Sequence, residues 1–529
     1  MSDDLDQERR KKSSRYDPSR RKFLKGVGVA GAGAALADYL VIGDADNVAA
    51  RISAPAEPVS GTVDVVLDLN DQKHKGREMS LNRNDCDSDF EFSNWDGSLT
   101  CDPDCFYQPR TESELVDIVR DTYQRGGIVR TFGARHSWSP LVLTSDTLVN
   151  LDKLKQLVSL DKGRMRASVQ AGIRIKDLIK VLRRDGLGLK NLGSIKEQSI
   201  AGAISTGTHG TGLNIGSLST QIVAMKVING RGEVVNLSEE KDPEQMSAAR
   251  TSLGALGIIS EVTIQCVKDY NLKYEAKDCP FDEVLAQLDQ LLKSNERLRL
   301  YWFNLIPDSF KVMTMNPTAE RPDSAEEYPD DFTRNIIDKK GTVRPISGNT
   351  YDLHHWLGLG LHINVNQKKE IEARAKWINA AQVKPYDQAL TVPMPPPHQE
   401  SEYAIPYKAA AKAVRMVRKF IEDNHFIDPV LVEVRFVNED DTMLSPAYKQ
   451  QVCYVGGYIF GELNVKDFFA GYESAMKHLE GKPHWGKHLT LSTQEARHMY
   501  PKFDRFNEIR QHLDPKGIFT NDFIRKLFG

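Results

Sequence analysis

The sequence predicts an α+β protein built from two successive domains. Between residues 111 and 265, helical and strand periodicities alternate around three glycine-rich segments. From about residue 270 to 480 the pattern changes to aromatic strands, polar insertions at 317–346 and one long helix at 407–423. The chain has 529 residues, 40% of them apolar and 27% charged, which is ordinary globular usage with enough apolar surface for more than one core. A net charge of −3 gives no pull toward nucleic acid or an anionic membrane.

Residues 1–50 read as an address. Lys and Arg exceed Asp and Glu by four in residues 1–25, and a weakly apolar stretch follows at 26–43. Ser19-Arg20-Arg21-Lys22-Phe23-Leu24-Lys25 fits the twin-arginine pattern, and Val48-Ala49-Ala50 offers a small-residue cleavage site. Gly26-Val27-Gly28-Val29-Ala30-Gly31 is formally a dinucleotide fingerprint, but the basic residues before it form no strand. The stretch is too short and too rich in Gly and Ala for a permanent membrane span. Twin-arginine export carries folded proteins to the periplasm or the exterior, often with a cofactor loaded, so the address itself points to a cofactor enzyme.

Residues 51–90 are polar and read as a lead-in. Thr111 and Glu114 form a capping box for a helix carrying Leu115, Ile118, Val119 and Tyr123, which Gly126-Gly127 stops. Residues 128–132 make a strand ending in Gly133, and a second helix runs from Ile175 to Gly186. Residues 222–228 form a strand, and Asn229-Gly230-Arg231-Gly232 turns it back into Glu233-Val234-Val235. Met394-Pro395-Pro396-Pro397 is a turn. Of six cysteines, Cys86, Cys101 and Cys105 cluster; an exported chain permits one disulfide among them, and no further ligands stand nearby for a metal.

The glycine-rich segments carry the first chemistry. They are Gly133-Ala134-Arg135-His136-Ser137, the run from Ser205 through Thr206, Gly207, Thr208, His209, Gly210 and Thr211 to Gly212, and the segment 252–259 with Gly257 and Ile259. Small residues let backbone N–H groups approach an anion such as pyrophosphate. The second domain adds a strand in which alternation puts Glu433 and Arg435 on one face and Val432, Val434 and Phe436 on the other. Two charges on an otherwise apolar strand need mutual pairing or a function.

These segments resemble the FAD domain of the vanillyl-alcohol oxidase type. Gly133-Ala134-Arg135-His136-Ser137 is similar to its first flavin loop, with Ala134-Arg135 bulkier than the usual small pair, and residues 207–212 are similar to its second. Asn94-Trp95-Asp96-Gly97, Glu402-Tyr403-Ala404-Ile405-Pro406, the Glu433-Val434-Arg435 strand with 440–446 after it, and His484-Trp485-Gly486-Lys487 resemble markers of the aldonolactone and alditol oxidase branch. The likeness covers about residues 92–529. It implies an FAD domain at 91–268, a substrate cap at 269–479 and a segment at 480–529 returning to the FAD domain. It also implies FAD bonded through His136. Glu433, Arg435, Lys487 and His484 become the catalytic candidates, Arg435 and Lys487 supplying charge and Glu433 meeting the reacting hydroxyl. The expected substrate is a polyhydroxy 1,4-lactone of the L-gulono or D-arabinono type, with O2 or another redox acceptor taking the electrons. An alditol substrate, and a sugar-binding flavoprotein without activity, are the alternatives. The 133–140 loop also resembles that of sterol-oxidising flavoproteins, against which the markers in the second half argue.

Overall fold

The computed structural model describes residues 86–323, 350–352, 359–364, 372–377, 379–392, 398–426, 430–460 and 465–529. The export signal, residues 51–85 of the lead-in, most of the polar insertion and the run at 394–397 lie outside these. Among the described residues no helix is long and apolar enough to cross a membrane.

The first half is built on two sheets. In a three-stranded parallel sheet, Thr147–Asn150 lies between Cys105–Tyr107 and Val129–Phe132. The helix Glu112–Arg125 feeds it. Thr111 accepts the N–H of Glu114, and Gly126 ends the helix at φ 68°, as expected. The Glu114 carboxylate reaches back to the N–H of Arg110 at 2.7 Å, one residue before the expected partner. The second sheet is antiparallel, in the order Val234–Ser238, Ile222–Ile228, Ile258–Gln265, Arg166–Gln170, Leu157–Asp161. Its hairpin turns where the sequence places it, with the N–H of Asn229 donating to the Glu233 carbonyl at 3.0 Å. The predicted helix at 175–186 is Ile175–Arg184, followed by Gly186 at φ 68°. Its Ile175, Leu178, Ile179 and Leu182 are buried in the core of this half.

The second half is an eight-stranded antiparallel sheet. Its order is Ala380–Pro385, Asn271–Pro280, Ile306–Thr318, Arg297–Phe303, Val430–Val437, Val452–Phe460, His398–Pro406 and the short Lys482–Pro483. Helices Ala410–Asp423 and Val465–Lys477 cover one face. They bury Val414, Val417, Phe468 and Tyr472 against Val432, Val434 and Phe436. The predicted helix at 407–423 thus begins with a 3-10 turn, Tyr407–Ala409. The opposite face carries Glu433 and Arg435 and meets the loops around 190–212.

The chain end ties back to the first half. The N–H of Val129 donates to the Ile518 carbonyl at 2.8 Å, and the buried Arg130 guanidinium donates to the carbonyls of Leu141, Leu253, Gly254 and Phe519. Within the cysteine cluster, Cys86 pairs with Cys105, and Cys101 is a free thiol.

Candidate active site

The strand Val430–Val437 is buried along its whole length. An unpaired charge there would cost several kcal/mol, roughly 3–5 once one partner of a pair is lost, so the partners of its two charges define the site. Strand register sets them: Arg299 lies opposite Arg435, Tyr301 opposite Glu433, and Tyr454 beside Arg435 on the other side. The Glu433 carboxylate accepts the hydroxyls of Tyr301 at 2.9 Å and Tyr458 at 2.5 Å, and pairs with Arg299 at 3.3 Å and Arg435 at 3.4 Å. Burial alone would raise its pKa, but Arg435 and Arg299 outweigh that and hold it below the ordinary carboxylate value. Arg435 donates to Glu402 at 2.6 Å, and to the Ser194 hydroxyl and the His209 carbonyl at 3.1 Å each.

The loop holding His484 and Lys487 is stapled to the first glycine-rich loop. Trp138 donates its N–H to the Gly486 carbonyl at 2.9 Å, and the Ser139 hydroxyl donates to the Trp485 carbonyl at 2.5 Å, a link between positions 346 apart in sequence. Trp485 is fully buried, stacks on Tyr500 at 5.1 Å and donates its indole N–H to the Leu444 carbonyl at 2.7 Å. Lys487 is thereby held 4.6 Å over the Trp138 ring and paired with Glu400. The Asn94-Trp95 turn braces the other side. Asn94 donates to the Ser137 carbonyl at 3.1 Å, and the Trp95 N–H donates to the Arg135 carbonyl at 2.8 Å.

Two adjoining cavities result. The first, about 790 Å³, is bordered by His136, Ser194, Thr208, His209, Glu400, Glu402, Arg435, His484 and Lys487 among others. The second, about 980 Å³, is bordered by Gly133, Ala134, Arg135, His136, Ser137, Ser205, Thr206, Gly257 and Ile259. His136, Ser137, Gln198 and Thr206 border both. Gly207 and Gly210 border neither. Gly212 also stands outside, and at φ 139° its N–H donates to the Phe436 carbonyl at 2.7 Å, which seats the second loop on the strand of Arg435. The second cavity suits FAD: backbone, hydroxyl and arginine groups line it, with no carboxylate among its bordering residues to repel a pyrophosphate. Arg135 takes φ 66°, so the bulkier loop is accommodated in the left-handed region with its side chain exposed.

Electrostatically the site holds the imidazoles of His136, His209 and His484 neutral. Burial pushes His136 down to about 3, with Arg174 and Lys487 adding to it, and burial pushes His484 to about 3. His209 is lowered by burial and Arg435, and its ring stacks on Tyr454 at 3.5 Å. His209, Glu402 and His484 place ligand atoms within 4.8 Å of one another. The Arg435 guanidinium already on Glu402 opposes a second cation there.

Arg435, Lys487, His484 and His136 all border the first cavity. Glu433 stands behind its wall, both oxygens engaged. Sequence reading missed Arg299, Tyr301, Tyr458 and Glu400 and assigned no role to Glu402. A signal existed: His398, Glu400 and Glu402 recur with period two along one strand, and Arg297, Arg299 and Tyr301 alternate with apolar residues along another.

Comparison with known proteins places this chain in a family. Residues 262–527 match the family described as D-arabinono-1,4-lactone oxidase, and residues 103–238 match an FAD binding domain. Residues 17–37 match the signal sequence of the twin-arginine translocation pathway, which bears out the reading of the first fifty residues as an export address. L-gulonolactone oxidase of Scyliorhinus torazame is 32% identical over 459 residues, covering 83% of this chain and 98% of the relative. L-gulono-1,4-lactone dehydrogenase of Mycobacterium tuberculosis is 30% identical over 438 residues, covering 83% and 99%. A crystal structure of cholesterol oxidase from B. sterolicum superposes with a TM-score of 0.63 at 14% identity, covering 83% of this chain and 96% of that one, and so shares the fold. The protein is therefore an FAD-binding oxidoreductase that belongs to the D-arabinono-1,4-lactone oxidase family.

Proposed function

We propose that the exported protein oxidises a secondary alcohol of a sugar-derived 1,4-lactone, at the carbon beside the lactone carbonyl, with O2 as the terminal acceptor. The observation that carries this reading is the convergence of Arg435, Lys487 and His136 on one polar cavity that adjoins the glycine-lined one. Bound FAD supplies the hydride acceptor. Arg435 and Lys487 donate hydrogen bonds to substrate oxygens and so position the reacting carbon. Glu433 fixes Arg435 from behind the wall. Trp95 and Trp138 supply apolar wall to the cavity. His136, kept neutral, presents a nucleophilic ring nitrogen at the junction of the two cavities, which supports a covalent bond from it to FAD.

The test is a panel of 1,4-lactones and alditols read by peroxide release and by bleaching of the flavin. A 1,4-lactone of the L-gulono or D-arabinono type should be the best substrate. An alditol reducing the flavin fastest would move the substrate class, and a protein that neither bleaches nor turns over would be a binding protein. Arg435→Ala and Lys487→Ala should each slow flavin reduction about 100-fold or more; normal rates in both would refute the assignment. Yellow colour surviving acid precipitation, and lost in His136→Ala, tests the covalent bond.

A further inference from the structure

Two carboxylates in the first cavity are left over from this account. Glu400 and Glu402 stand two residues apart on His398–Pro406, hence on one face of the strand, and each is about 1% exposed. Each has one oxygen occupied. Lys487 holds one oxygen of Glu400, with His398 at 3.7 Å; Arg435 holds one oxygen of Glu402 at 2.6 Å. The remaining oxygens, Glu400 Oε1 and Glu402 Oε2, are buried without a hydrogen-bond partner. Burial would raise both groups, but Lys487 on one and Arg435 on the other keep them ionised. An ionised carboxylate only accepts hydrogen bonds, and a buried acceptor left unmatched is costly. A ligand that brings donors to this wall would match these two oxygens.

The cations add a second restriction. Arg435 and Lys487, the two cationic side chains on the cavity wall, already face carboxylates, and His136 and His484 are held neutral. A ligand that brought its own negative charge would find both cations already facing carboxylates, and two acidic oxygens beside them. We propose that Glu400 and Glu402 are substrate-recognition residues that accept hydrogen bonds from substrate hydroxyls, and that they select a neutral polyhydroxy ligand, the closed lactone, over the anion formed when the lactone ring hydrolyses. This rests on the functional reading above and deepens it.

The holoprotein is titrated at pH 7 with L-gulono-1,4-lactone and with sodium L-gulonate, binding being followed by calorimetry and by perturbation of the flavin spectrum, and KM is measured in parallel. The unmodified protein should bind the lactone about 100-fold or more tightly than the gulonate. Glu400→Gln and Glu402→Gln, which keep shape and remove charge, should raise KM for the lactone about 10-fold. They should also narrow the lactone-to-gulonate ratio by a similar factor. Equal binding of lactone and gulonate by the unmodified protein overturns the proposal, as does an unchanged lactone affinity and ratio in folded Gln variants. If neither variant folds, the comparison on the unmodified protein decides. Absence of turnover with tight, selective lactone binding would refute the oxidase reading and leave the recognition site standing.

Discussion

The buried charges behind the cavity wall make a quantitative prediction. Arg299 is fully buried, and its Nε lies 3.3 Å from Glu433. Its Nη2 donates to the Leu390 carbonyl at 2.9 Å, while Nη1 and Nε have no hydrogen-bond partner. On this face Arg299 and Arg435 are matched by Glu433 and Glu402, two charges against two. Glu433→Gln leaves one buried positive charge in excess, and Arg299→Met leaves one negative charge. Each single change should destabilise by about 3–5 kcal/mol, because breaking one partner of a buried pair strands the other. The double variant restores the balance and replaces a guanidinium by an apolar side chain. It should cost roughly 2–4 kcal/mol less than the sum of the two, well above the ~0.5 kcal/mol expected of independent sites. The assay is equilibrium urea unfolding of the FAD-loaded protein for all four corners of the cycle, with coincidence of tryptophan and flavin signals checked first. Additivity within about 0.5 kcal/mol would show that Arg299 and Glu433 are not energetically coupled, and would remove the argument that Glu433 serves by balancing the arginines.

Other consequences are simpler to measure. Burial raises the Asp440 carboxyl from 3.8 to about 6, so the folded chain holds a proton that the unfolded chain has released. The stability this group confers is complete below about pH 4 and is lost as pH rises through about 6, amounting to roughly 3 kcal/mol at about 1.4 kcal/mol per pK unit. Asp440→Asn should show no such decline between pH 4 and 7, and parallel pH profiles for the two proteins would exclude it. Opening the Cys86–Cys105 disulfide with a reductant, or replacing both residues by Ser, should destabilise by about 3 kcal/mol through release of a loop of 19 residues, an unchanged urea midpoint being the contrary result. A methyl group at Gly133 would collide with the Ser199 hydroxyl, so Gly133→Ala should displace the first loop. The expected readout is a purified protein with much less than one flavin per chain; full flavin content would mean that the loop has room to shift.

Local pattern made much of the fold legible. The helix at Glu112–Arg125, its cap at Thr111 and its stop at Gly126 follow from residues within one turn of one another. So does the hairpin at 229–232, because turn geometry depends on the few residues that make it. The alternation in 430–437 likewise told which side chains share a face, and the structure agrees. What a strand's own pattern lacks is its neighbour. Glu433 carries the same side chain whether it faces a cavity or a clamp of Tyr301, Tyr458, Arg299 and Arg435, and only the register of adjacent strands decides between them.

By itself, then, the sequence determined the fold class, the export address, the FAD-binding domain and the family, since these are written in contiguous residues whose chemistry is local. The tertiary structure decided which charges meet. It selected Cys86 as the partner of Cys105, stapled the Trp485 loop to Ser139, and turned Glu400 and Glu402 into buried acceptors on the cavity wall. Each of those outcomes depends on distances between segments far apart in the chain. Those distances are set by strand order and by core packing across the whole molecule, and no short stretch of residues contains them.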